Sequence, residues 1–396
     1  MQIPERFDTI RPYEPEELPA ALSALCTDAQ FLQAIANVPP TLLGKEAVQG
    51  AAQRLPELLA QKAAQCHSNL DFQKAFVYPL VAGLEQNLTN GLTIDAAAIT
   101  DKATPHTFIS NHRDIVLDSA FLSKLLIDAG FPDTVEIAIG NNLLAYPWIE
   151  RLVRINKAFI VRRGLSLRET LSASHLLSEY MHFAVGQKRQ NIWIAQREGR
   201  AKDSNDRTQE ALLKMMCMGG EGTPQERIAH LGLTPLAISY EYDPCDYLKA
   251  QEFQQKRDNA DYKKSRQDDI DNMRTGIFGF KGRVAYHICR PLDDWLHTHA
   301  ALNKADFFAQ LAAHIDSEIH RHYTLYPTNL IALDLLEGTR HEGYTEAQRT
   351  QFENYVDERI GLVRLPHPDE PFLRERILTM YANPARNHFA ALQPTC

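Results

Sequence analysis

The stretch FISNHRDIVLDSAFL, residues 108–122, decides how this chain is read. A short apolar run ends at Ser110, the charged group Asn111, His112, Arg113 and Asp114 follows, and apolar residues then return at helical spacing through "IVLDSAFLSKLL". That is a strand handing over to a helix, with Asn111 placed to cap it. In α/β sheets, ligands gather where strands end at their carboxyl edge and the next helix begins. His112 therefore falls at the mouth of an expected sheet, where a histidine oriented by a carboxylate can act as a general base near neutral pH. Asp114 and Asp118 are both candidates for that carboxylate; a helix start whose charges simply face water accounts for the same residues without chemistry.

Outward from this stretch the rhythm is regular. "HTFISN" (106–111), "TVEIAIG" (134–140), "KAFIVRR" (157–163), "NIWIAQRE" (191–198) and "LTPLAISYEY" (233–242) are short β-rich runs, and segments such as "LSLRETLSASHLLSEYMHFAV" (165–185) between them are long enough for helices. Strands alternating with helices predict an α/β fold with a mostly parallel sheet covered by helices, from about residue 100 to 292. "GRVAYHICRPL" (282–292) reads as its last strand, ended by Pro291. Helical spacing dominates on both sides, in "LPAALSALCTDAQFLQAIANV" (18–38), "AFVYPLVAGLEQNL" (75–88) and "RHYTLYPTNLIALDLL" (321–336). The expected organisation is an N-terminal helical region (1–95), an α/β domain (96–292) and a C-terminal helical region (293–396). The mixed-charge run "KAQEFQQKRDNADYKKSRQDDIDNM" (249–273) reads as a solvated helix or an insertion.

Composition sets the bounds. With 396 residues, 44% apolar and 23% charged, the chain can bury a sizeable core and has no signature of disorder. A net charge of -8 argues against generic nucleic-acid binding and leaves room for a local basic pocket. The six cysteines, at 26, 66, 217, 245, 289 and 396, never form CxxC, so neither a zinc ribbon nor a disulfide framework is indicated. "HIDSEIHRHY" (314–323) lacks HExxH spacing; its histidines read as surface or capping residues, and no metal is expected. The opening residues lack an apolar leader and no long uncharged apolar run occurs, so a cytoplasmic protein that spans no membrane is expected.

"HRD" also opens a protein-kinase catalytic loop, but the position that would carry its asparagine is Ser119, and neither DFG nor G-x-G-x-x-G occurs. A different order of motifs fits. "NHRDIVLD", "KAFIVRR", "IAQREGRAKD" and "TPLAISYEY" succeed one another over roughly residues 106–245. In that order they resemble the four blocks of the glycerolipid acyltransferase superfamily, the glycerol-3-phosphate and 1-acylglycerol-3-phosphate acyltransferases. The resemblance carries the family's histidine and aspartate onto His112 and Asp118, the arginine of its second block onto Arg163 with Arg162 beside it, and its third block onto Glu198, Gly199 and Arg200. "PLAISYEY", with Pro235 and Tyr240, looks most like the glycerol-3-phosphate branch. Here five residues separate His112 from Asp118 where the family has four, and Leu117 stands in the usual place.

The resemblance implies an O-acyltransferase of phospholipid synthesis. It would move a fatty acyl group from acyl-CoA or acyl carrier protein to a hydroxyl of glycerol 3-phosphate or 1-acylglycerol 3-phosphate. No cofactor beyond the acyl donor is implied. His112 would be the base, Asp118 its orienting partner, and Arg163 and Arg200 the phosphate holders, with Arg162, Glu198 and Gly199 supporting them. Lys202 is placed to reach a phosphate or the donor, or to stay solvated. Because a spacing of six turns helical side chains about 120° apart, His112 must lie before the helix or within a distorted first turn for Asp118 to reach it. An amphiphilic substrate implies work at a membrane surface, peripheral on the inner membrane. The alternatives are an acceptor of another kind, an amino-acid lipid or other lysolipid, and a lipid-binding relative without catalysis.

Overall fold

A computed structural model describes residues 3–38 and 51–393; Met1, Gln2 and Cys396 lie outside the described residues, as do residues 39–50 of the N-terminal helical region. The chain opens with helices α1 (Leu18–Cys26), α2 (Ala29–Ala36), α3 (Ala51–Ala63) and α4 (Asn69–Phe72), and a π-helical turn leads from α4 into α5 (Tyr78–Leu88). Strand β1 (Leu92–Asp95) follows, a strand that sequence patterning does not reveal because its alternation covers only four residues. It falls on the helical side of the expected boundary at residue 95.

The α/β part then runs β2 (Thr107–Ser110), α6 (Leu117–Asp128), β3 (Val135–Gly140), α7 (Pro147–Ile155), β4 (Ala158–Val161), α8 (Leu167–Gly186) and β5 (Asn191–Ala195). Two short helices, α9 (Glu210–Met216) and α10 (Pro224–His230), precede β6 (Leu233–Tyr240). Helices α11 (Asp246–Asp258) and α12 (Arg266–Phe278) lead to β7 (Val284–Ile288), which stops short of Pro291. The C-terminal part holds α13 (Asp293–Thr298), α14 (Lys304–Arg321), α15 (Pro327–Glu337), α16 (Glu346–Gly361) and α17 (Glu370–Leu392).

The sheet has the order β1-β7-β6-β2-β5-β3-β4. All neighbours are parallel except β6 and β7, so β1 and β7 run against the other five strands. The fold is therefore α/β, with a mostly parallel, helix-covered sheet. Every residue of β2 is buried, as a central strand covered on both faces requires. On one face Ile109, Ile192 and Ala237 pack beneath α8 and α14 through Tyr180, Leu311 and Ile315. On the other, Phe108, Trp193, Leu236 and Tyr286 meet Phe121 and Leu125 of α6. The C-terminal helices have a core of their own, centred on Phe352, Leu373 and Tyr381.

Two expectations need correcting. Asn111 does not cap a helix: its side chain exchanges two 2.8 Å hydrogen bonds with the backbone of Ile238, fastening the end of β2 to β6. The charged run 249–273 is not simply solvated. Lys249, Glu252 and Gln254 of α11 are buried, where they meet Asp243, Lys202 and the His367 carbonyl, and α11 also packs on α17.

Candidate active site

After β2 the chain leaves the sheet in an irregular turn, and α6 begins only at Leu117. His112 thus lies before the helix, and its Nδ1 donates to Asp118 Oδ2 at 2.8 Å. The same oxygen accepts the backbone N–H groups of Arg113 at 2.6 Å and Asp114 at 3.1 Å. Asp118 is fully buried; its Oδ2 is held by these three donors rather than by water, while Oδ1 has no hydrogen-bond partner among the described residues. With Nδ1–H committed to the carboxylate, the lone pair of His112 sits on Nε2. Asp114 does not touch the imidazole. Its Oδ1 accepts from Val116 N at 2.9 Å and Leu117 N at 2.8 Å, capping α6 in the place foreseen for Asn111. Burial, reinforced by the neighbouring Asp118, pushes the Asp114 carboxyl above the usual range.

His112 lines a cleft of about 330 Å³ at the carboxyl ends of β2, β3 and β5. Trp193 of β5 stands edge-on to the imidazole, with ring centroids 5.6 Å apart, and is anchored by Nε1 to Ser110 Oγ at 3.0 Å. The cleft is lined by apolar side chains, among them Ile115, Ile137, Ile139, Leu143 and Trp193, by the cations Arg163, Arg197, Arg200, Lys202 and Lys264, and by the carboxylates Glu198 and Asp269. Gly199 has φ +68°, a left-handed conformation that glycine adopts without strain, and the turn it makes carries Arg200 into the cleft.

Arg200 donates through Nη2 to Asn272 Oδ1 of α12 at 2.9 Å, while its Nη1 and the Nε of Arg197 are buried with no hydrogen-bond partner among the described residues. Arg163 is half-exposed, with Nε 3.5 Å from the carboxylate of Glu198. Lys202 is ion-paired with Glu252 of α11; burial outweighs that partner and brings its amine down to about 8. Beneath His112, buried Arg113 meets Asp206 at 2.7 Å, and Tyr323 donates to the same Asp206 oxygen at 2.6 Å.

The structure brings His112, Asp118, Arg163, Glu198, Gly199 and Arg200 together, and Asp118 rather than Asp114 reaches His112. Arg162 stands apart. It is exposed and does not line the cleft, because successive side chains at a strand end point to opposite sides. Tyr240 is partly buried and likewise off the cleft, and Pro235 sits within β6 opposite Ile109. Sequence reasoning missed Arg197, Arg113, Asp206, Lys264 and Asp269. Only Arg197 had a signal, its place in the basic stretch 188–202. Lys264 and Asp269 come from the charged run, whose α12 end forms part of the cleft wall and touches Ala145 through Arg266. His320, expected as a surface or capping residue, is buried with Nε2 3.0 Å from the Asp206 carbonyl, and burial lowers it to about 4.

Fold and cleft together define an α/β protein with a carboxylate-oriented histidine facing a basic, partly apolar cavity. No protein-family profile matches the chain, and no curated protein matches it. Among solved structures it is similar to the crystal structure of the 1-acyl-sn-glycerophosphate (LPA) acyltransferase PlsC from Thermotoga maritima, at 10% identity and a TM-score of 0.36, over 76% of this chain and 96% of that one. A likeness this distant carries no weight for function. That must stand on the chemistry of the cleft.

Proposed function

We propose that the protein is an O-acyltransferase that moves a fatty acyl group from a thioester to a hydroxyl of a phosphorylated glycerol or its lysolipid. The observation that carries this reading is the His112–Asp118 hydrogen bond at 2.8 Å, in a cleft lined by both arginines and aliphatic side chains. His112 Nε2 takes the hydroxyl proton as the oxygen attacks the thioester carbonyl, and Asp118 holds the imidazolium that forms. Collapse of the tetrahedral adduct breaks the carbon–sulfur bond, and the departing thiolate recovers the proton from His112. No covalent acyl-enzyme is required. Arg197 and Arg200 line the cleft, and a phosphate dianion on the substrate suits their planar forks.

Acyl-CoA or acyl carrier protein is the proposed donor, and a membrane surface the proposed source of acceptor. No helix among the described residues is long and apolar enough to cross a membrane. Leu167 and Leu171, 82% and 57% exposed, lie one turn apart where α8 begins after the Arg163 turn, and suit shallow contact with lipid at the cytoplasmic face of the inner membrane.

The test is thiol release from long-chain acyl-CoA, with acyl carrier protein as a second donor, offered glycerol 3-phosphate and lysophosphatidate separately. Release that depends on His112 supports the reading and selects the acceptor. No release from any pairing would remove it and favour a lipid-binding protein without turnover.

A further inference from the structure

Away from the cleft, His287, Cys289 and His322 bring one imidazole nitrogen or sulfur each to within 4.8 Å of one another. Strand alternation explains half of this: His287 lies near the end of β7 and Cys289 just past it, two residues apart in extended backbone, so both project to the same side. His322 follows the last residue of α14 and meets them there, its Nδ1 3.6 Å from Cys289 Sγ.

Each imidazole has a hydrogen-bonding neighbour at Nδ1. His287 Nδ1 lies 3.2 Å from the carboxylate of Asp95, and His322 Nδ1 lies 2.8 Å from the Glu318 carbonyl. A ring nitrogen that donates to a carboxylate or a carbonyl fixes the tautomer and leaves the lone pair on Nε2, the arrangement that orients zinc-ligating imidazoles. Glu318, one turn earlier on α14, adds a carboxylate 3.9 Å from His322 Nδ1.

We propose that His287, Cys289 and His322 bind a soft divalent cation of the zinc type, with a water in the fourth position. One thiolate and two imidazoles are a donor set that tetrahedral Zn²⁺ takes. On binding, the Cys289 thiol gives its proton to solvent and its sulfur bonds to the metal. The two imidazoles stack with centroids 4.3 Å apart and 14° between planes. A bound ion lies in the plane of each ring it ligates, so binding turns at least one ring out of the stack. At 28% and 31% exposure both side chains have room to turn. None of the three residues lines the cleft. The ion would clamp the end of α14 to the sheet, and the next residue, Tyr323, is the one that holds Asp206 beneath Arg113. The proposal does not depend on the acyltransfer reading.

The experiment is a Co²⁺ titration of the full chain, stripped with chelator under reducing conditions. Expected are one equivalent bound with the intense visible bands of a tetrahedral site, a near-ultraviolet sulfur-to-cobalt charge-transfer band, and displacement by Zn²⁺. Cys289→Ser should lose the charge-transfer band while keeping the wild-type circular dichroism. His287→Gln and His322→Gln should each weaken binding by about tenfold or more. A folded wild type without the thiolate band overturns the proposal, as does an unchanged band in Cys289→Ser. Should Cys289→Ser fail to fold, unchanged affinity in both histidine variants overturns it equally.

Discussion

Gly276 of α12 backs onto Asp114 so closely that a Cβ at position 276 would collide with the Asp114 carboxylate. Because Asp114 caps α6, the approach of α12 is what fixes the turn carrying His112. Gly276→Ala should cost about 1–3 kcal/mol through overpacking, lower the melting temperature, and reduce turnover by disturbing a site it does not line. Wild-type melting and turnover in this variant would show that α12 does not set the turn.

His112→Ala should lower kcat by about 10² to 10⁴ with the fold intact, the range ordinary for loss of a general base. Asp118→Ala should differ by also melting earlier, since its Oδ2 accepts two backbone N–H groups besides the imidazole. Turnover above a tenth of wild type in His112→Ala would sink the assignment of the base.

Arg200→Lys and Arg163→Lys should raise the KM for the phosphorylated acceptor, while Arg162→Lys, off the cleft, should not. Losing one charge-assisted contact of about 1.5–3 kcal/mol corresponds to roughly tenfold to a hundredfold. Steady-state kinetics with the acyl donor saturating separates these effects. An equal response at Arg162 and Arg163 would contradict the placement of the phosphate.

His320 offers a pH test. Its folded-state value of about 4 lies below the ordinary 6.5, so between these limits the unfolded chain binds the extra proton and stability rises with pH. The contribution is complete above pH 6.5 and is lost as the pH falls toward 4. In the wild type it amounts to about 3 kcal/mol. His320→Gln should remove that slope, which urea unfolding at pH 4 and 6.5 would reveal as a smaller difference than in the wild type. An identical pH dependence in both proteins would show that His320 is not buried neutral.

The strands β2 to β7 were legible because each is an apolar run bounded by turn residues, and His112, Arg163 and Arg200 were legible because ordered motifs fall at strand ends. Physical distance hid the rest. Asn111 looks like a cap locally, and only its partner Ile238, from a distant strand, makes it a fastener. The charged run 249–273 looked solvated because its buried polar residues have partners elsewhere, as Lys202 is for Glu252, Arg200 for Asn272 and the His367 carbonyl for Gln254. Arg113 and Asp206 meet by tertiary packing alone, and no spacing rule announces such a pair.

The pairing of β1 with β7 bears on how the molecule is made. Leu92 lies beside Val284, so the strand that precedes the α/β part is completed only by the strand that ends it. During synthesis the ribosome must release nearly all of that intervening chain before β1 has a neighbour. Closing so long a loop carries a large entropic cost and makes this edge a late event in folding. Until then the nascent chain presents an unpaired strand, a natural point of engagement for chaperones and a place where crowded, unfinished molecules would stick to one another.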